Sequence, residues 1–233
     1  MDRNPPVREA GRVGSLCDLP DGLLHHILSF LPLKDVVRTG VLSKKWRNLW
    51  AFVPNLAFDE LEFPHRKCFF QFVERCLMFR DMSAVNSFSL SCFVRQDVPS
   101  IYTWICFAIK HSVQKLHLCL YVRTQPDIRF LVPSQVFRSE TLTELHLEIE
   151  SAIVIPSTAL LPKLKVLSLV RVSFKDDQWI GKLLSSVPCL EDLTLQDIFC
   201  WHLKEINISA PKLARLYIVQ KVFPANIRSI NGA

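Results

Sequence analysis

The sequence lacks the features that mark several large classes of protein. It contains only 6 glycines among 233 residues, too few for a collagen-like chain or a glycine-rich linker. Its apolar runs, such as residues 98–109, are shorter than the roughly 20 residues that cross a bilayer. Hydrophobic residues make up 49% and charged residues 21% of the chain, which is typical of a globular protein. We therefore expect a folded chain with no membrane partner.

The amino terminus has no apolar segment of the kind that directs secretion. Residues 1–15 carry two prolines and five charged side chains, which predicts a disordered tail rather than a signal peptide. We therefore expect the protein in the nucleus or the cytoplasm, where thiols stay reduced. The 8 cysteines contain no C-x-x-C pair, which favours buried free thiols and predicts no metal and no cofactor.

Clusters of positive charge are also missing. The net charge is +6, but no basic run exceeds two residues and acidic residues alternate with the basic ones. Nucleic-acid-binding proteins usually concentrate Lys and Arg on one face. We therefore expect no nucleic-acid partner.

Residues 19–53 carry apolar residues at helical spacing. The first stripe lies between Pro20 and Pro32, which bound a helix, and Val36 and Val37 predict a second short helix. Ser43 is placed to cap a third helix, whose apolar stripe consists of Leu42, Trp46, Leu49, Trp50 and Val53. So short a unit rarely forms a sufficient core alone. Either the rest of the chain or a second protein must cover part of its apolar surface.

The motifs of this segment resemble an F-box, in the version found in plant F-box proteins with leucine-rich repeats. The resemblance is carried by LPDGLLHHILSFLPLKD at 19–35 and LSKKWRNLW at 42–50. It implies an F-box at residues 16–53 that docks on the Skp-family adaptor, and through it on a cullin, in a ubiquitin ligase. It implies that contact with the adaptor, or support for that contact, comes from Leu19, Pro20, Leu23, Leu24, Ile27, Leu28 and Leu31. Val36, Val37, Leu42 and Trp46 are expected to hold the module together.

Residues 54–233 repeat an apolar triplet with the pattern Φ-x-x-Φ-x-Φ. The middle triplets begin at Val85, Val113, Leu142, Leu164 and Leu190 and lie 22 to 29 residues apart, near the period of leucine-rich repeats. Helical patterns at 69–77, 101–109 and 179–187 separate some of them. We predict an α/β fold in which the F-box is followed by an irregular solenoid with a parallel concave sheet. An ordinary doubly wound sheet is the alternative, but no GxGxxG or GxxxxGK motif follows a predicted strand.

The carboxyl-terminal repeats are closer together. The triplets at Leu203 and Leu213 follow after 13 and 10 residues, which leaves no room for ordinary crossover helices. We expect an irregular end with few helices. Related plant proteins often continue into a further carboxyl-terminal domain, the FBD domain, so the chain is expected to be a short member or a truncated product.

Polar residues between the apolar positions of each strand are expected to line the concave face. We predict that this face binds an unidentified target protein through Lys115, His117, Glu144, His146, Ser168, Asp192, Thr194, Asn207, Arg215 and Tyr217. We expect two ion pairs between neighbouring strands, one between Lys115 and Glu144 and the other between Glu205 and Arg215. His117 and His146 are two possible metal ligands without a third, so a polar recognition face is the better interpretation.

Three functions fit these patterns. The F-box resemblance favours a non-catalytic substrate receptor of an SCF-type ubiquitin ligase, which holds a target close to enzymes on other subunits. A cullin-independent repeat scaffold that uses its F-box only for internal packing is the main alternative. A thiol enzyme based on Cys119 beside His117 is weaker, because no third group that would orient the pair is evident. We therefore predict no catalytic residues.

Overall fold

The computed structural model describes residues 19–80, 84–122, 130–176, 178–200, 206–208, 210–220 and 230–232. The predicted disordered tail, residues 1–15, lies outside these ranges. The chain divides into two compact units, Met1–Val53 and Pro54–Ala233. Within the described ranges, every helix is too short or too polar to span a lipid bilayer.

The amino-terminal unit is helical. Helix α1 spans Asp21–Leu28 and helix α2 spans Leu33–Thr39, and a proline occupies the N-cap position of each. Proline suits the start of a helix because a backbone N–H at this place has no acceptor within the helix. Proline, which lacks the N–H, therefore loses no hydrogen bond there. The two prolines therefore fix where both helices begin.

The third helix of this unit is a 3-10 helix, Trp46–Phe52, rather than a regular α-helix with one long stripe. A 3-10 helix aligns residues three apart, and Trp46 and Leu49 are the buried pair at this spacing. The backbone N–H of Trp46 donates to the Ser43 hydroxyl at 3.4 Å, so Ser43 makes the bond predicted for it although the helix begins later. The core of the unit consists of Leu24, Leu28, Val36, Trp46, Leu49 and Val53, with Leu19 and Trp50 packed against it.

The second unit is built on a parallel sheet of seven strands. Its strands in spatial order are β1 (Asn55–Asp59), β2 (Ser87–Val94), β3 (Lys115–Val122), β4 (Glu144–Ile149), β5 (Val166–Val170), β7 (Asp192–Gln196) and β10 (Arg215–Val219). Burial alternates along β2, β3, β4 and β7, as expected for strands with one face on a core. The α/β fold with a parallel sheet is therefore confirmed.

Helices connect the first strands and give way to turns later. Helices α3 (Arg66–Met78), α4 (Val98–Lys110) and α5 (Trp179–Ser186) cover the segments where the sequence predicts them. Short 3-10 helices occupy Glu60–Glu62 and Ser134–Arg138. In the described residues after Gln196 the chain forms strands and turns without a helix, as the short repeat spacing predicts.

Two pairs of short parallel strands lie outside the main sheet. Strand β6 (Ser173–Phe174) pairs with β8 (Phe199–Cys200), and β9 (Ile206–Ile208) pairs with β11 (Ile230–Gly232). Strand β10 pairs with β7 and bypasses β9. The prediction that Asn207 lines the face of the main sheet with the other target-binding residues is therefore wrong, because its strand joins a different sheet.

Candidate partner-binding surfaces

Helix α1 carries two adjacent apolar stripes with different surroundings. Leu24 and Leu28 are fully buried in the core of the unit, whereas Leu23 is 52% and Ile27 is 40% exposed. Residues four apart share a helix face, and the next residue lies about 100° around the axis. One stripe therefore holds the helix to its own unit and the other remains available.

The other residues predicted for adaptor binding divide in the same way. Val36 and Trp46 are buried, Leu19 and Val37 are half-buried, and Pro20 is exposed. Leu31 is 41% and Leu42 is 65% exposed. The expectation that Leu42 holds the module together is wrong, because Leu42 precedes the 3-10 helix instead of lying in its stripe.

The exposed apolar side chains of the unit form a set that we call the module surface residues. They are Leu23, Ile27, Phe30, Leu31, Val41, Leu42 and Phe52. Burying a Leu or Ile side chain completely contributes roughly 1.5–3 kcal/mol. Covering the exposed fractions of Leu23, Ile27 and Leu31 would thus contribute on the order of 3 kcal/mol before the costs of association.

The second candidate surface is the partly exposed face of the seven-stranded sheet, which we call the open face. Its central row consists of Ser89, His117, His146, Ser168, Thr194 and Tyr217 in register on successive strands. Each of these side chains is at least partly exposed, and Tyr217 is the most exposed of them. The structure therefore brings five of the predicted target-binding residues into one row together with Ser89, and it excludes Asn207 from that row.

Ion pairs link neighbouring strands beside this row. Lys115 Nζ lies 3.1 Å from Glu144 Oε2, and His117 Nε2 donates to Glu144 Oε1 at 2.9 Å. Burial alone would raise the pKa of Glu144, but the hydrogen bond from Lys115 and the neighbouring His117 outweigh it and lower the pKa below its ordinary value. The predicted pair between Lys115 and Glu144 is confirmed.

The second predicted pair has a different partner. Arg215 is aligned with Asp192 and donates to it through Nε and through Nη2, the latter at 2.6 Å. This pairing lowers the pKa of Asp192 and raises the pKa of Arg215. Arg215 therefore pairs with Asp192 on β7, the neighbour of β10. Glu205, the partner predicted for Arg215, lies outside the described residues.

Further candidate side chains lie two residues beyond the central row. Cys119 and Glu148 are register partners on β3 and β4, and Arg171 Nη2 donates to Glu148 Oε1 at 2.6 Å. The period of two along each strand places Cys119 beside His117 and Glu148 beside His146, so the sequence contained a signal for these two. Nothing in the sequence indicated Arg171, which follows β5 in the left-handed conformation with a φ of 55°.

The electrostatics of this group disfavour a nucleophilic thiol. Burial, together with the charge and hydrogen bond of Glu148, raises the pKa of Cys119 to about 11. Burial and the neighbouring His117 lower the pKa of His146. A nucleophilic cysteine requires a lowered pKa, since the thiolate is the reactive form. The arrangement is thus unsuited to the thiol chemistry considered for Cys119 and His117.

Comparisons with known proteins identify both units. An F-box domain family matches residues 16–57, and a family described as FBD-associated F-box protein At5g56370, LRR repeats, matches residues 101–228. Among curated proteins of Arabidopsis thaliana, the F-box/LRR-repeat protein At4g14103 is 39% identical over 213 residues, covering 86% of this chain and 54% of the relative. The F-box/LRR-repeat protein At4g14096 is 37% identical over 223 residues, covering 91% of this chain and 47% of the relative. This chain thus spans about half the length of the curated relatives that it matches.

Proposed function

Because this chain belongs to the plant family of F-box proteins with leucine-rich repeats, whose members are generally non-catalytic adaptors, we propose that it is the substrate-receptor subunit of an SCF-type ubiquitin ligase. In this role the F-box docks on a Skp-family adaptor and thereby on a cullin. The repeats hold a target protein within reach of the ubiquitin-loaded enzyme. The gain is proximity, because a bound target reacts at a high effective concentration.

The observation that carries this proposal is the division of α1 into a buried and an exposed apolar stripe. A helix that served only its own unit would bury its apolar residues and expose polar ones. Here Leu23 and Ile27 remain exposed although they are as apolar as Leu24 and Leu28. Clustered exposed apolar residues mark sites of protein association. A partner of matching apolar character is the occupant that this stripe requires.

The open face of the sheet supports the receptor half of the proposal. Its side chains are mainly Ser, Thr, His and Tyr, and its charges are largely joined in cross-strand pairs. Such a face offers hydrogen bonds and stacking to a protein surface without a strong net charge. The predicted target-binding residues that remain candidates are Lys115, His117, Glu144, His146, Ser168, Asp192, Thr194, Arg215 and Tyr217. We further propose that the protein acts in the nucleus or the cytoplasm.

The test measures binding of a purified Skp-family adaptor to the full chain by calorimetry. The variant combines Leu23→Asp with Ile27→Asp, which puts charge on the exposed stripe and leaves the buried stripe intact. The matched control combines Leu131→Asp with Leu160→Asp, two leucines of similar exposure in the second unit. Far-UV circular dichroism verifies that all three proteins are folded.

We expect the wild type and the control to bind the adaptor and the α1 variant to lose at least about 30-fold in affinity, since a central apolar contact at an interface is worth about 2 kcal/mol or more. Co-purification of a cullin through the bound adaptor tests the complete assembly. A folded wild-type chain that does not bind the adaptor would overturn the proposal and favour the cullin-independent scaffold. Equal affinity of the α1 variant would refute the role of this stripe.

A further inference from the structure

Four residues with metal-binding side chains form a block on the open face of the sheet. His117 and Cys119 lie on β3, and their register partners on β4 are His146 and Glu148. The two strands are parallel neighbours, so equivalent residues lie about 4.8 Å apart. A sulfur, a carboxylate and two imidazoles are thereby concentrated on one small area of the face.

Three of these residues bring their ligand atoms together. The Cys119 Sγ, a ring nitrogen of His146 and a carboxylate oxygen of Glu148 all lie within 4.8 Å of one another. His146 Nε2 is 3.7 Å from Glu148 Oε2. Ligands of a tetrahedral zinc ion, at bond lengths of about 2.0–2.3 Å, lie roughly 3.3–3.8 Å apart. A contraction of about 1 Å would therefore close the triangle around an ion.

The surrounding groups position these ligands. Arg171 holds Oε1 of Glu148 and leaves Oε2 on the side of His146. Arg171 also lies 3.3 Å from Glu150, which offsets part of its charge. His117 is held by Glu144 and its ring centre is 5.9 Å from that of His146. Outer partners of this kind fix the orientation of ligands in metal sites.

We propose that Cys119, His146 and Glu148 bind a divalent transition-metal ion, with Zn²⁺ the ion that best fits the ligands. One thiolate and one carboxylate balance the two positive charges of the ion, and sulfur and imidazole are the ligands that Zn²⁺ favours over Mg²⁺ or Ca²⁺. The cysteine releases its proton to solvent when the sulfur–metal bond forms. Three protein ligands leave one tetrahedral position for water or for a side chain of a bound protein. This site goes beyond the proposed receptor function and does not depend on it.

The test uses the full chain, freed of metal with a chelator and kept reduced. Titration with Co²⁺ is followed by absorption, because a cysteine–cobalt bond gives a charge-transfer band and a tetrahedral site gives intense visible bands. Zn²⁺ affinity is then measured by competition with a chromophoric chelator. The variants are Cys119→Ser, His146→Gln and Glu148→Gln, and the matched control is Cys106→Ser, a half-buried thiol on α4.

We expect one ion per wild-type or control chain. Cys119→Ser should abolish the charge-transfer band, and each ligand variant should lose more than the roughly 10- to 100-fold in affinity that changes in outer partners cause. Zn²⁺ should also raise the melting temperature of the wild type and of the control but not of Cys119→Ser. The proposal is overturned if the wild type binds no ion stoichiometrically. It is equally overturned if Cys119→Ser retains the charge-transfer band and the wild-type affinity.

Discussion

Leu23 and Leu24 are neighbours on one helix, yet Leu24 is fully buried and Leu23 is 52% exposed. The 100° between successive helical residues places one leucine against the core and the other on the outer side. Two identical side chains thus have different surroundings. Single substitutions can separate their contributions to stability.

Leu24→Ala should destabilise the amino-terminal unit by about 2–5 kcal/mol, because it removes a buried side chain and leaves a cavity. Leu23→Ala should change the free energy of unfolding by less than about 0.5 kcal/mol. Urea unfolding of the full chain, followed by tryptophan fluorescence, measures both. Equal effects of the two substitutions would contradict the assignment of buried and exposed stripes.

Arg66 is the centre of an ion network at the start of α3. Its Nη1 lies 2.5 Å from Glu60, its Nε donates to Asp97 at 2.8 Å, and its Nη2 donates to the carbonyl oxygen of Phe93 at 2.7 Å. Glu60 in turn accepts the Phe93 N–H at 2.8 Å. Although burial acts to lower the pKa of Arg66, the two carboxylates outweigh it and raise that pKa.

We expect Arg66→Met to cost about 3–5 kcal/mol, because it leaves the buried Glu60 without its counter-charge. The control is Lys182→Met, which removes an exposed partner of Asp176 and should cost less than about 1 kcal/mol. Equilibrium unfolding in urea gives both values. A loss for Arg66→Met no larger than that for the control would show that the network is not stabilising.

Burial raises the pKa of the Cys76 thiol to about 12 from its ordinary value of 9.0. Between these two pH values the unfolded chain releases a proton that the folded chain keeps, so the free energy of unfolding falls as the pH rises. The slope for one such thiol is at most about 1.4 kcal/mol per pH unit. We expect the free energy of unfolding of Cys76→Ala to fall less steeply with pH than that of the wild type above pH 9 in reducing buffer.

The matched control is Cys68→Ala, which removes an exposed cysteine from the same helix. If Cys76→Ala shows the same slope as this control and the wild type, the burial of Cys76 does not govern the alkaline loss of stability.

Position along the sheet should determine how much a leucine contributes to stability. Leu193 on β7 is buried, whereas its register partner Leu216 on β10 is 39% exposed. We expect Leu193→Ala to cost about 2–5 kcal/mol and Leu216→Ala clearly less, because solvent already reaches its side chain. Thermal unfolding of the two variants compares them, and a larger loss at Leu216 would contradict this packing.

The repeat pattern allowed most of the elements to be predicted. The apolar triplets predicted the strands, since side chains alternate along a strand and the buried ones must be apolar. The stripes at Phe69, Ile101 and Trp179 predicted three helices that the structure contains. The third helix of the F-box was predicted as regular but is a 3-10 helix, in which Trp46 and Leu49 are buried three residues apart. Periodicity thus identified elements more reliably than their geometry.

Strand neighbours were harder to predict than strands. Asn207 and Glu205 were expected next to β10 because their triplet directly precedes it in the sequence. The pairing of β10 with β7 instead depends on contacts between distant segments, which spacing does not report. The same limit applied to the metal-binding group, since Cys119 and Glu148 lie on different strands and meet only when β3 and β4 pair.

The sequence by itself determined the local structure and the family, because helix stripes, strand alternation and the F-box motifs all depend on residues close together in the chain. The tertiary structure alone decided which stripe of α1 is exposed, which carboxylate faces Arg215, and that Cys119, His146 and Glu148 converge. These outcomes depend on which surfaces pack against each other. That choice minimises the free energy of the whole fold, and no short stretch of sequence contains it.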